Sequence, residues 1–296
     1  MEAQSLLIER IFLTVFPLVA IVTVGFLYAR KFKPDMSVAN QLNIDVFTPA
    51  LIFAVLSAES FDLILYQDLA IGAVAIVLGS GLLLLPLCRM LSVHPKTFIP
   101  PMMFSNSGNL GIPLIILAFG EQALPAAVVL FLVENVLHFT VGIYILDHRT
   151  KLYNLLKMPM IVATVLGLIW SSLDLYLPKA AHTFIEMLGQ IAIPLMLFSL
   201  GVRMLSVDFS NWKVGTLGAA LCPISGIAIA LLVQLIMPLT ETQFAYLVVF
   251  GALPPAVLNY MIAERYKQEP HQVASIVLLG NIGSLLFIPA TLAFIL

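Results

Sequence analysis

Three polar side chains stand close together in an otherwise apolar stretch of the sequence: Glu134, Asn135 and His138. A helix would place Glu134 and His138 one turn apart on the same face. Glu134 falls near the centre of a predicted membrane span, where a carboxylate is costly and usually functional. It could bind a proton or a sodium ion, or stay protonated as a hydrogen-bond donor. We predict that Glu134 and Asn135 bind a coupling ion or a proton. His138 fits a hydrogen-bonded helix histidine better than a metal ligand.

Two further residues, Asp45 and Asn281, are candidates for binding the coupling ion or proton. Asp45 lies about one turn inside another predicted span, and an interfacial pair with a loop lysine or arginine would explain it equally well. Asn281 matches Asn135 in an internal repeat described below.

Two apolar segments are interrupted by residues that break helices. Residues 104–113 hold two serines, two asparagines, two glycines and a proline, and the second segment carries the adjacent prolines Pro254 and Pro255. A proline lacks the amide donor and clashes with the preceding turn, so both segments should break. A helix that restarts presents free amides and a positive dipole end, which favours an anion. No lysine or arginine is predicted near the membrane midplane, so these helix ends should do most of the charge recognition.

These two breaks define the predicted substrate site. Pro113 and Pro255 suit the first turn of the restarting helices. The predicted substrate-binding residues are Asn106, Gly108, Asn109, Gly111, Pro113, Pro254, Pro255 and Asn259.

The composition requires a membrane protein around this site. Of the 296 residues, 61% are apolar and only 10% are charged, which excludes an ordinary soluble domain. The net charge of -2 gives no reason to expect a nucleic-acid partner. Apolar runs of about 20 residues predict transmembrane helices in the lipid bilayer. The ten predicted spans are 11–29, 41–58, 68–91, 97–118, 123–146, 158–176, 183–204, 213–237, 243–263 and 273–295.

The positions of the basic residues predict the orientation. If every run spans, all lysines and arginines except Arg10 and Lys179 fall in loops on one side, which should be cytoplasmic. Both termini are then outside. The sequence contains no phosphate-binding loop, HExxH or GxSxG motif and no zinc-type Cys/His cluster. We therefore expect no enzyme activity, no cofactor and no metal site.

The two halves of the chain resemble each other. Pro17 and Gly25 match Pro159 and Gly167 at an offset of 142, and Phe53 matches Phe198 at 145. Similar matches occur in all five spans of each half, which predicts repeats over residues 1–148 and 149–296. An odd number of spans inserts the second repeat upside down, as in many secondary transporters. The expected fold is all-α, with ten transmembrane helices in two inverted repeats and broken helices 4 and 9 crossing at the midplane.

At this point the chain resembles the auxin efflux carrier family in its compact bacterial form. The resemblance rests on the stretch from Asn43 to Phe53, the stretch from Asn106 to Pro113, and the pair Pro254-Pro255. It implies a scaffold of helices 1, 2, 6 and 7, against which a transport domain of helices 3–5 and 8–10 moves like an elevator. It also implies organic-anion cargo, such as indole-acetate or small dicarboxylates. The bile-acid sodium symporters are similar, so sodium coupling stays open.

The predicted function is secondary active transport of a small organic anion, a carboxylate or dicarboxylate. The alternatives are a passive anion channel or uniporter and a sodium-coupled symporter of a larger amphipathic organic acid. The expected partners are the anion, sodium or a proton, and the lipid bilayer, with a homodimer as an open alternative. The expected location is the bacterial inner membrane.

Overall fold

The computed structural model describes residues 2–58, 61–148, 157–205 and 211–296, and this part of the chain is helical without any extended strand. Arg149, Lys151 and the predicted repeat boundary lie outside the described residues. The helices, labelled in chain order, are α1 Glu2–Phe32, α2 Ser37–Leu56, α3 Ile64–Met90, α4 Pro95–Met103, α5 Ser107–Phe119, α6 Glu121–Leu146, α7 Pro159–Ser172, α8 Lys179–Arg203, α9 Trp212–Ile236, α10 Glu241–Gly251, α11 Val257–Arg265 and α12 Pro270–Ile295.

Seven of these helices are long and apolar enough to cross a membrane: α1, α2, α3, α6, α8, α9 and α12. The fourth and ninth predicted spans are each divided into two shorter helices, α4 with α5 and α10 with α11. The sixth predicted span, 158–176, forms α7, which has 14 residues. At 1.5 Å per residue, α7 is about 21 Å long, shorter than a typical hydrocarbon core.

Wide π turns interrupt α2, α5 and α6, over Asn43–Phe47, Ser107–Gly111 and His138–Gly142. The first two turns end two residues before a proline, Pro49 and Pro113 respectively. A proline inside a helix removes one amide donor and crowds the carbonyl four residues before it. The wider i→i+5 spacing of a π turn relieves that crowding, and such turns occur often at functional sites. All three turns border the cavity described below.

The helices pack in two sets. In one set, α1 lies along α8, and α2 contacts α7 and α8. In the other, α3 contacts α4, α6 and α9, while α12 packs along α9 and against α11. The contact between α1 and α8 is very close, since a Cβ built on Gly201 would lie 2.0 Å from the carbonyl oxygen of Val22. Glycine allows these backbones to touch, as small residues commonly do between membrane helices.

Candidate functional site

The two helix breaks lie against each other. Phe104 and Ser105 are extended between α4 and α5, and Ser105 pairs with Pro255 in an isolated antiparallel bridge. The amide of Asn106 donates to the carbonyl of Pro254 (2.7 Å), and the amide of Ala256 donates to the carbonyl of Phe104 (2.9 Å). In a membrane every backbone polar group needs an internal partner. The breaks therefore stabilise each other.

Two asparagine side chains complete this junction. The Asn259 Nδ2 donates to the carbonyls of Phe104 (2.8 Å) and Ala256 (3.1 Å). The Asn281 Nδ2 donates to the carbonyl of Pro255 (3.1 Å), and its Oδ1 accepts from Asn106 Nδ2 (2.9 Å). Asn281 thus connects both breaks from α12.

The structure places the two prolines differently, and the prediction that Pro255 lies in the first turn of its helix is wrong. The regular α-helical part of α5 begins at Ile112 with Pro113 in its first turn, although the π turn before it already resumes the helix at Ser107. Pro255, by contrast, lies in the extended segment, two residues before α11 begins at Val257. A residue that precedes a proline is disfavoured in the helical region, so Pro254 stays extended and delays the helix start.

A cavity of about 160 Å³ lies beside the paired breaks. Five of the predicted site residues line it, namely Asn106, Gly108, Asn109, Glu134 and Asn135. It is also lined by the first residues of both restarting helices, Ser107 to Asn109 of α5 and Val257 and Leu258 of α11. The first amides of a helix have no intrahelical partner, so the positive ends of both restarting helices border this cavity.

Close packing explains why residue 108 is a glycine. A Cβ built on Gly108 would lie 2.7 Å from the ring of Phe131, which also lines the cavity. The missing side chain lets the first turn of α5 approach α6, which carries Glu134 and Asn135. The backbone of α5 and the polar groups of α6 thereby border one space.

Arg203 is a cavity residue that sequence reasoning missed. It is the last residue of α8, and its guanidinium donates to the sulfur of Met261 on α11 (3.4 Å). Arg203 lines both the 160 Å³ cavity and a neighbouring cavity of about 570 Å³. The sequence places it at the end of a span, but its long side chain reaches the cavity beside the breaks. The site therefore holds a full positive charge beside the helix ends.

Two buried polar groups from α2 and α8 also line the cavity. Among the described residues, Asn43 Oδ1 and Ser199 Oγ have no hydrogen-bond partner. Buried polar groups are rarely left unsatisfied in native proteins. The two atoms are therefore available to a bound ligand or to water.

Glu134 is buried, with only 2% of its surface exposed. Its carboxylate accepts a hydrogen bond from the hydroxyl of Ser105 (3.2 Å), inside the first break. His138 is equally buried, and its ring stacks on Phe104 with 4.1 Å between ring centroids. Asn135 faces the same cavity, and its amide also donates to the Phe131 carbonyl within α6 (2.8 Å).

The other predicted site residues lie away from the 160 Å³ cavity. Asp45 is exposed and accepts a hydrogen bond from Gln41 on its own helix (2.5 Å). Asn281 lines the 570 Å³ cavity and Pro113 a third one, near the opposite ends of the helices. The remaining predicted residues, Gly111, Pro254, Pro255 and Asn259, belong to the junction or pack behind it.

The comparison with protein families agrees with this architecture. The profile of a family described as "membrane transport protein" matches residues 10–155 and 148–292, which together cover nearly the whole chain. The chain belongs to this auxin efflux carrier family. The family assignment made from the sequence motifs is thus confirmed. No curated protein matches the chain.

Membership of the auxin efflux carrier family sets the general activity. The protein is a multi-pass integral membrane protein and a membrane transporter. The paired helix breaks are consistent with this class, because broken membrane helices commonly form the binding sites of secondary transporters.

Proposed function

We propose that the protein is a secondary active transporter of a small carboxylate or dicarboxylate. The observation that carries this proposal is the cavity beside the paired breaks, which combines two helix N-terminal ends with the guanidinium of Arg203. A carboxylate can accept hydrogen bonds from backbone amides and from a guanidinium, and bonds to charged groups are the stronger ones. The space beside the breaks, about 160 Å³, is large enough for a small carboxylate or dicarboxylate.

The packing supports a ten-helix fold of two inverted repeats. Gly25 of the first repeat touches Phe198, since a Cβ there would lie 2.2 Å from the Phe198 carbonyl oxygen. A Cβ built on Gly167, its equivalent in the second repeat, would lie 2.8 Å from the Leu56 Cβ and 3.6 Å from the Phe53 Cα. Phe53 and Phe198 are themselves equivalent, so the repeats exchange the same contact.

We propose that the protein works by an elevator mechanism. Helices α1, α2, α7 and α8 would form the scaffold, and α3 to α6 with α9 to α12 the transport domain. The cavity lies where these two sets meet, since Asn43 and Arg203 belong to the scaffold and Asn109 and Glu134 to the transport domain. Sliding one set past the other would carry the anion across the bilayer.

The cavity opens toward the side that should be cytoplasmic. The neighbouring 570 Å³ cavity shares Asn40, Arg203 and Met261 with it and extends to Met36 and His271 at the helix ends. These ends belong to the loops rich in lysine and arginine, which the distribution of basic residues assigns to the cytoplasm. We therefore propose an inward-facing state, in a bacterial inner membrane, with both termini outside.

Glu134 is the proposed coupling residue. Its carboxyl group lies in the cavity wall and contacts Ser105 of the first break. An anion bound in the cavity would therefore lie near this carboxyl group and change its electrostatic environment. The carboxyl could exchange a proton or hold sodium. Asn135, next to it, would complete such a site.

Binding of a carboxylate panel to the purified protein, with and without sodium, tests the proposed cargo. Uptake of the bound carboxylate into proteoliposomes then tests the transport mechanism under separate sodium and pH gradients. We expect saturable uptake that responds to one gradient in the wild type and loses that response in Glu134→Gln. Flux far above the rate allowed by domain motions on the μs–ms scale would indicate a channel instead. Binding of no carboxylate would refute the proposed cargo.

A further inference from the structure

A second, much smaller cavity adjoins the far side of His138. Its volume is about 10 Å³, close to the space that one water molecule needs. His138 lines both this small cavity and the 160 Å³ cavity, so it stands between them. Asn259, Lys96 and Thr97 line the small cavity as well.

The walls of the small cavity carry several polar groups suited to holding water. Among the described residues, His138 Nε2 and Asn259 Oδ1 are buried without a hydrogen-bond partner. Pro100 and Pro101 also line the cavity and have no amide to give to the carbonyls of Lys96 and Thr97, four residues earlier in α4. A buried water typically binds two to four such groups.

The small cavity is connected to the protein surface by a short hydrogen-bonded chain. The Thr97 hydroxyl, itself buried, donates to the carboxylate of Glu269, which is exposed in the loop before α12. The same hydroxyl accepts a hydrogen bond from Gln268 (2.9 Å). This loop belongs to the proposed cytoplasmic side.

From these contacts we infer that the small cavity is a water site on a proton route between Glu134 and the cytoplasm, separate from the path of the anion. The inference rests on the proposed role of Glu134 as a proton carrier. A proton leaving the Glu134 carboxyl would cross the 160 Å³ cavity, which His138 also lines, to the imidazole of His138. It would then pass to the water and through the Thr97 hydroxyl to Glu269. The number of protons is conserved, and no group is oxidised or reduced.

A separate route is needed because the larger opening is unfavourable for protons. Arg203 stands where the 160 Å³ and 570 Å³ cavities meet, and a fixed arginine charge is a barrier to protons in a narrow pore. A bound anion would also fill that opening during transport. Lys96 also places a positive charge beside the proposed route, but its Nζ donates to the carbonyl of Leu146 (3.1 Å). The carboxylate of Glu269 at the end of the route supplies a compensating negative charge.

The charged and titratable side chains that face this route come from several helices. They are Glu134 and His138 of α6, Arg203 of α8, Lys96 of α4, and the surface groups His94 and Glu269.

Infrared spectroscopy on the full-length protein in lipid nanodiscs tests the route without any organic ligand. The carboxyl C=O band of Glu134 is assigned by its loss in Glu134→Gln, and its shift is followed after rapid transfer from H₂O to D₂O. We expect Thr97→Val to slow the shift by about tenfold, the effect of losing one hydrogen-bonded step, whereas Thr97→Ser keeps the wild-type rate. Glu269→Gln should slow it as well.

Glu264→Gln is the matched control for the surface group. Glu264 is exposed in the same region and accepts a hydrogen bond from Tyr260 (3.1 Å), so its loss should leave the exchange rate unchanged. Equal rates in wild type, Thr97→Val and Glu269→Gln would overturn the route. So would the absence of a protonated Glu134 band in the wild type, and that result would leave anion binding, measured separately, unaffected.

Discussion

The break in the first half of the chain carries serine, asparagine and glycine, whereas the break in the second half carries two adjacent prolines. From the first break, residues 105–109 all line the cavity. The second contributes Ala256 and the apolar residues Val257 and Leu258, while its asparagine, Asn259, donates to the carbonyls of Phe104 and Ala256. The two breaks are thus related in position but differ in chemistry.

We propose that the two breaks have different roles. The first break offers polar groups and free amides to a ligand, with Glu134 beside it. The second break is stiffened by Pro254 and Pro255 and held in place by Asn259 and Asn281, so it positions the first. In this proposal, the rigid second break fixes the position of the first break, and the polar groups of the first break stay accessible to a ligand.

The largest expected loss of anion affinity comes from removing the positive charge of Arg203, which lines the cavity beside the first break. Arg203→Gln should weaken carboxylate binding by about 2–5 kcal/mol, or roughly 30- to 5,000-fold, because an ionic partner of the anion is lost in a buried site. Arg203→Lys should retain part of the affinity, since it keeps the charge but not the guanidinium geometry. Calorimetric titration would measure both.

Arg89→Gln controls for the change in net charge, because Arg89 is exposed and lies outside the cavity wall. If Arg203→Gln and Arg89→Gln bind the anion equally well, the cavity does not recognise charge through Arg203.

A smaller effect, on protein stability, is expected from removing hydrogen bonds that hold the second break. Asn281→Ala removes three hydrogen bonds, to Asn106, Pro255 and Val277, and side-chain hydrogen bonds in membranes average about 0.6 kcal/mol. We expect a loss of stability of about 2 kcal/mol, measured by denaturant unfolding in detergent. Asn135→Ala, the equivalent change in the first repeat, removes a bond within α6 and should cost about a third as much. Equal destabilisation by both changes would contradict the proposed asymmetry.

The smallest effect is expected at Asp45. Its carboxylate is exposed and contacts Gln41 on the same helix, so Asp45→Asn should change stability and anion affinity by less than about 0.5 kcal/mol. Thermal unfolding and the same titration would show this. A lost response to the sodium or pH gradient in Asp45→Asn would instead extend the coupling site to α2.

Local sequence predicted the positions of the breaks well because proline and glycine act on their own backbone. The prolines at 113, 254 and 255 and the polar run from Ser105 to Asn109 mark both interruptions without any knowledge of tertiary structure. The pattern also placed Glu134 and Asn135 beside them. Periodicity and the distribution of basic residues are likewise local properties, so the helical fold could be predicted.

The partners of each side chain could not be predicted in the same way. Asn106 bonds to Asn281, which lies 175 residues away, and Asn259 bonds to the backbone of Phe104. The sequence predicted the same role for Asn109 and Asn259, yet only Asn109 lines the 160 Å³ cavity. The direction of a side chain near a break depends on the packing of the other repeat. Arg203 was missed for the same reason, since its reach depends on the approach of α8 to α11.

Asn109 and Asn259 give the most direct test of the different roles proposed for the two breaks. Asn109→Ala and Asn259→Ala would each be measured for carboxylate affinity and for thermal stability in the same detergent. We expect Asn109→Ala to lose roughly 10- to 150-fold in affinity with nearly unchanged stability, since a hydrogen bond to a charged group contributes about 1.5–3 kcal/mol. Asn259→Ala should lose stability and, in the fraction that remains folded, bind with nearly wild-type affinity. The opposite pattern, or equal losses of affinity in both variants, would contradict the account.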